Sequence, residues 1–152
     1  MKITEKNNML EVDILFKEID LVESCINRMA ANSFEIKKWT VGIIAILAGL
    51  IKQDVSVNDC KITILFLMVI LIFWWLDAFF LKMERLYRKK YSWLIKERIE
   101  GNMNDLFNLN PYNKAMMLDS EKCMPSHICV MFSRTLCPFY FGLAIFCIII
   151  FR

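Results

Sequence analysis

Asp77 lies inside "FWWLDAFFLKMERLYRKKY", residues 73–91, where an apolar stretch gives way to a basic one. An acid within a membrane span costs roughly 2.5–3.5 kcal/mol at the bilayer centre, and less near the ends. Its neighbours at three and four residues are Phe73, Trp74, Phe80 and Leu81, so its own helix supplies no ion pair. One reading is an interhelical pair with Lys37, Lys38 or Arg134. Another is a ring of Asp77 carboxylates lining a pore in an assembly of several chains, and a third is an acid that simply reaches the interface. Trp74 and Trp75 fit either a pore lining or an interhelical contact, and with Phe73, Phe79 and Phe80 they resemble an interfacial aromatic belt.

A second group is the basic run Arg85, Arg88, Lys89 and Lys90, interleaved with Tyr87 and Tyr91. Such a run marks topology and attracts anionic lipid headgroups. It also suits a nucleotide or oligonucleotide ligand, because guanidinium and ammonium groups bind phosphate while aromatic rings stack on bases. A third group, Glu121, Cys123, His127 and Cys129, has metal-ligand chemistry. Its C-x3-H-x-C spacing matches no common zinc signature, so ordinary loop residues are expected, with no metal and no cofactor. There is no glycine-rich phosphate loop and no G-x-S-x-G, so the chain does not read as an enzyme. A membrane enzyme would require the Cys/His group to bind metal. The six cysteines form no CxxC pair and read as reduced thiols.

These residues must be carried by apolar helices. The chain has 152 residues, 57% hydrophobic, with a mean hydropathy of +0.43, more apolar than a soluble domain of this length. Three segments hold the excess: 39–51, 62–81 and 136–151. The second has 20 residues with Asp77 as its only charge, and at ~1.5 Å per residue it crosses a hydrocarbon core of roughly 30 Å. The first and third are shorter and read as further spans. The first begins behind an acidic stretch with no small-residue cleavage pattern after it, unlike a signal peptide.

The fold expected is an all-α membrane protein with three transmembrane helices. Residues 1–36 form a cytoplasmic amphipathic helix, and 37–100 a transmembrane hairpin with a cytoplasmic helical extension. Residues 101–135 form a cytoplasmic connector, and 136–152 a C-terminal transmembrane helix. In the first segment Val12, Leu15, Ile19, Val22, Ile26 and Met29 recur at spacings of 3, 4, 3, 4 and 3, a seam suited to a coiled coil or bundle and a candidate oligomer contact. That segment carries four bases against seven acids, a net −3. Residues 82–100 carry seven bases against three acids, a net +4, so the two helices are natural packing partners. No Pro or Gly interrupts residues 62–100, and Gly101 supplies a stop. The second helix is therefore expected to be long, with about half of it beyond the membrane. Residues 101–113, "GNMNDLFNLNPYN", form a turn-rich connector.

Lys37 and Lys38 precede the first span, and Lys82, Arg85, Arg88, Lys89 and Lys90 follow the second. The loop between the spans, residues 52–61, has two bases and two acids. The positive-inside rule then puts the N-terminus and residues 82–135 in the cytoplasm, with the loop outside. Ala45 and Gly49 have the small-xxx-small spacing that lets helix backbones approach in lipid.

The elements "WLDA", Trp75–Ala78, and "ERLYRKKY", Glu84–Tyr91, resemble the membrane-to-cytosol helix of small bacterial membrane proteins. These include SLATT-like proteins and the HalB-type effectors of Hailong anti-phage defence systems. The resemblance covers residues 35–98 and falls on Asp77, Glu84, Arg85 and Arg88; the C-terminal span departs from the simplest two-span arrangement. It implies a homo-oligomeric effector of the bacterial inner membrane that permeabilises the bilayer or forms an ion channel, under a nucleotide-type signal from a cytoplasmic nucleotidyltransferase or sensor. The alternative is a membrane scaffold that recruits a cytoplasmic partner through its helical regions.

Overall fold

The computed structural model describes residues 2–51, 59–119 and 126–150, and every regular element among them is a helix. In chain order these are α1 (Lys2–Ile51), α2 (Asp59–Ile99), α3 (Lys114–Asp119), α4 (His127–Met131) and α5 (Cys137–Ile150). The amphipathic segment and the first apolar segment are one helix. With no proline before residue 111, nothing in the chain breaks α1 at residue 36. The expected external loop falls largely on residues 52–58, outside the described residues.

The chain divides into two compact units, and each draws on both long helices. This differs from the four consecutive segments expected, because packing groups residues across the helices rather than along them. Unit 1 comprises residues 1–29 and 83–123, and unit 2 residues 30–82 and 124–152.

Unit 1 is centred on Val22, Cys25 and Ile26 of α1 against Tyr87 and Leu94 of α2. Leu15, Ile19 and Met29 border this core with Met83, Tyr91, Trp93 and Leu109. The 3–4 seam is thus occupied by the same chain from Leu15 to Met29, and only Val12 of the six stays exposed. The acidic and basic helices do pack together here. As an oligomer contact the seam is largely unavailable.

The second helix ends as a Schellman turn. The Gly101 amide donates to the Arg98 carbonyl at 3.1 Å and the Asn102 amide to the Glu97 carbonyl at 3.0 Å, with Gly101 at φ +80°. A Cβ at Gly101 would meet nothing within 4 Å, so Gly101→Ala isolates the backbone cost. It should lower stability by about 1–2 kcal/mol in chemical denaturation. No loss would mean that the turn relaxes freely.

Unit 2 packs Ile44 of α1 and Ile62, Phe66, Ile70 and Ala78 of α2 with Val130 and Met131 of α4 and Leu136, Tyr140 and Cys147 of α5. Among the described residues α2 is the one helix long and apolar enough to cross a membrane. Its most apolar stretch has a mean hydropathy of 2.6, and only 22% of that stretch is buried. A core helix of a soluble protein would be mostly buried. Here Ile64, Leu65, Met68, Leu71, Ile72 and Trp75 all face outward. The apolar end of α1 and the 14-residue α5 are shorter than a full span.

Candidate functional site

Asp77 is fully buried in unit 2, and its carboxylate is held from two other helices. From α1, the Lys37 ammonium lies 2.7 Å from Oδ2, and the Ser33 hydroxyl donates to Oδ1. From α5, the Tyr140 hydroxyl donates to Oδ2 at 3.0 Å. Lys37 also donates to the Ser33 hydroxyl oxygen at 2.9 Å, which closes a ring of polar contacts. One turn beyond Lys37, Thr40 is buried and donates to the Ile36 carbonyl at 2.7 Å.

Spacing explains the α1 contribution. Ser33, Lys37 and Thr40 stand four and three residues apart, a polar stripe on one helix face. Asp77 faces that stripe beside Ala78, whose small side chain is also fully buried. With a cation and two hydroxyl donors, the acid is satisfied inside one chain, which is what a buried charge requires. A pore-lining acid must instead face water. Of the expected partners Lys37 takes the role, while Lys38 pairs with Glu35 and Arg134 is exposed.

Trp74 and Trp75 diverge. Trp74 donates its Nε1 hydrogen to the Met131 carbonyl at 3.0 Å and stacks on Tyr140, with ring centroids 5.7 Å apart and planes 12° apart. The rings of Phe132 and Phe141 meet it edge-on at 5.4 and 5.3 Å. Trp74 is therefore an interhelical residue that braces the phenol facing Asp77. Trp75 faces outward, with its ring 4.1 Å from that of His127. His127 Nε2 is buried and has no hydrogen-bond partner, and no cluster of three potential metal ligands occurs among the described residues. Glu121 and Cys123 lie outside them.

The basic run of α2 does not form one phosphate-binding surface. Arg88 is exposed and pairs with Glu84 at 2.8 Å, whereas Arg85 and Lys89 are half-buried. Lys90 is buried in unit 1 and donates to the Asn110 carbonyl at 2.8 Å, so it is not open to a ligand. Burial lowers its pKa, and the nearby carboxylates of Asp105 and Glu18 oppose that shift. Burial also raises the pKa of Tyr87, helped by neighbouring Cys25.

A second buried ion pair, absent from the sequence-based expectations, organises unit 1. Arg98 presents its fork to Glu18, with Nε 2.9 Å from Oε2 and Nη2 2.9 Å from Oε1. Glu18 Oε1 also accepts the Phe107 amide at 2.9 Å, and Arg98 donates to the Asn102 and Asn104 carbonyls. Leu86, Lys90, Leu94 and Arg98 recur every four residues on α2 and are all buried. That stripe, two charges among two leucines, was the available signal. Searches of family models, curated proteins and solved structures gave no match to this chain.

Proposed function

We propose that the chain is an inner-membrane effector of a bacterium, with three spans and a cytoplasmic helical unit, that permeabilises the bilayer as a homo-oligomer. The observation that carries this reading is the outward-facing apolar surface of α2, which suits lipid rather than a protein core. The apolar end of α1 and α5 pack against α2 in unit 2, and in this reading they serve as the other two spans. Three helices, two of them with short apolar segments, do not enclose a water-filled path, so permeation requires several copies. Because Asp77 is neutralised within each chain, the pore lining comes from other residues. The nucleotide-type signal and the setting in phage defence follow from the resemblance of residues 35–98.

A specific feature favours the scaffold reading as second. Unit 1 leaves Val12, Phe16, Ile99, Met103, Leu106 and Phe107 exposed, and exposed apolar side chains are how partners are recruited. The two readings separate in proteoliposomes. The protein should resist carbonate extraction, and impermeant thiol reagents should reach Cys60 but not Cys129 in spheroplasts. The oligomer should release trapped ions. Extraction by carbonate would overturn both readings, and an intact ion gradient with a co-purifying partner would leave the scaffold.

A further inference from the structure

Unit 2 contains a groove of about 520 Å³ lined by Phe34, Lys37, Lys38, Val41 and Gly42 of α1 and Phe139 of α5. The wall is apolar and the rim basic. We infer that this groove binds one anionic phospholipid, with an acyl chain along Val41, Gly42 and Phe139 and the headgroup phosphate at Lys38. The inference rests on the membrane reading above, which makes the outer surface of unit 2 lipid-facing and the end of α1 bearing Lys37 and Lys38 its cytoplasmic end.

Three observations support a single occupant of this chemistry. A Cβ at Gly42 would meet nothing within 4 Å, so the floor of the groove is open space where a chain can lie. The apolar surface continues beyond it: Ile46 on α1, one turn past Gly42, and Phe146 on α5, two turns past Phe139, share those faces and are exposed. Finally, the two lysines differ. Lys37 is engaged with Asp77 and Ser33 and fixes the rim. Lys38 is half-exposed, with its ammonium 5.3 Å from the centroid of the Phe34 ring and paired with the equally exposed Glu35. An exposed pair of that kind contributes ~0–1 kcal/mol, so a phosphate displaces it readily. Trp39, also exposed, adds an indole of the type that sits at headgroup level. Anionic lipid is the complement of this rim, and the cytoplasmic leaflet is where such lipid and a juxtamembrane lysine meet.

The test uses the full-length protein in nanodiscs containing equal phosphatidylglycerol and phosphatidylcholine, with retained lipid read by native mass spectrometry. The parent should retain phosphatidylglycerol about fivefold over phosphatidylcholine, the scale one lysine contributes beside anionic headgroups. Lys38→Gln should bring the ratio near parity while lipid is still retained. Gly42→Leu, which fills the open floor, should abolish retention of either lipid with the oligomeric size unchanged. Equal retention of the two lipids by the parent overturns the inference, as does a preference that survives both variants. A chain that does not enter the nanodisc at all refutes the membrane reading instead.

Discussion

Lys37→Met should destabilise the folded chain more than Asp77→Asn, although the two remove opposite ends of one ion pair. The Asp77 side chain is completely buried, whereas that of Lys37 keeps about a quarter of its surface exposed. With Lys37 gone, the carboxylate is left without a cation where water cannot reach it, a cost of about 3–5 kcal/mol. With Asp77 replaced by Asn, one of the two hydroxyls that reach its oxygens, Ser33 or Tyr140, keeps a carbonyl acceptor, the other turns to accept from the new amide group, and the lysine swings toward solvent, so the loss falls to the lower end of that range or below. The double variant Lys37→Met/Asp77→Asn should recover part of the loss. Unfolding midpoints in mixed detergent rank the four proteins. If Asp77→Asn instead left stability unchanged and reduced cation preference in liposomes, the carboxylate would belong to a pore after all.

The second large effect belongs to the Glu18–Arg98 pair. Arg98→Met strands a fully buried carboxylate and should cost about 3–5 kcal/mol; Arg98→Lys keeps the charge without the fork and should rescue little. The readout is local as well as global. Asp105 and Phe107 hold φ near +58° and +56°, a conformation that costs non-glycine residues of order 1–3 kcal/mol. The Phe107 amide on Glu18 is one of the contacts that holds them there. Loss of the pair should therefore release the connector, with faster hydrogen exchange at Phe107 and new protease cleavage within residues 101–113. Protection equal to that of the parent would show that the connector is held by its own turns.

Those turns are themselves legible in the sequence. The side chains of Asn102, Asn108 and Asn110 each accept the backbone amide two residues on, at 3.0 Å, as a run of asparagines in a connector suggests. The length of α2, its end at Gly101 and the packing of the acidic helix on the basic one were equally readable, because helix breakers and apolar periodicity are local signals. The polar cores were not. Glu18 looked like one more acid on an acidic helix until Arg98, eighty residues away, was placed against it. Ser33 and Tyr140 carried no mark of their role for the same reason. Asp77 was conspicuous because its local surroundings were wrong for a charge, but which lysine answered it depended on packing.

The order in which these partners are synthesised has a consequence for biogenesis. Ser33 and Lys37 precede Asp77, so the cation and one hydroxyl are already made when the acid leaves the ribosome. Tyr140 follows 63 residues later. At ~5–20 residues per second, Asp77 is made roughly 3–13 seconds before the phenol arrives. Vectorial synthesis thus delivers the counter-charge first and the capping hydroxyl last. On the proposed membrane reading, an acid entering the bilayer early is neutralised from its own nascent chain, without waiting for a second protein.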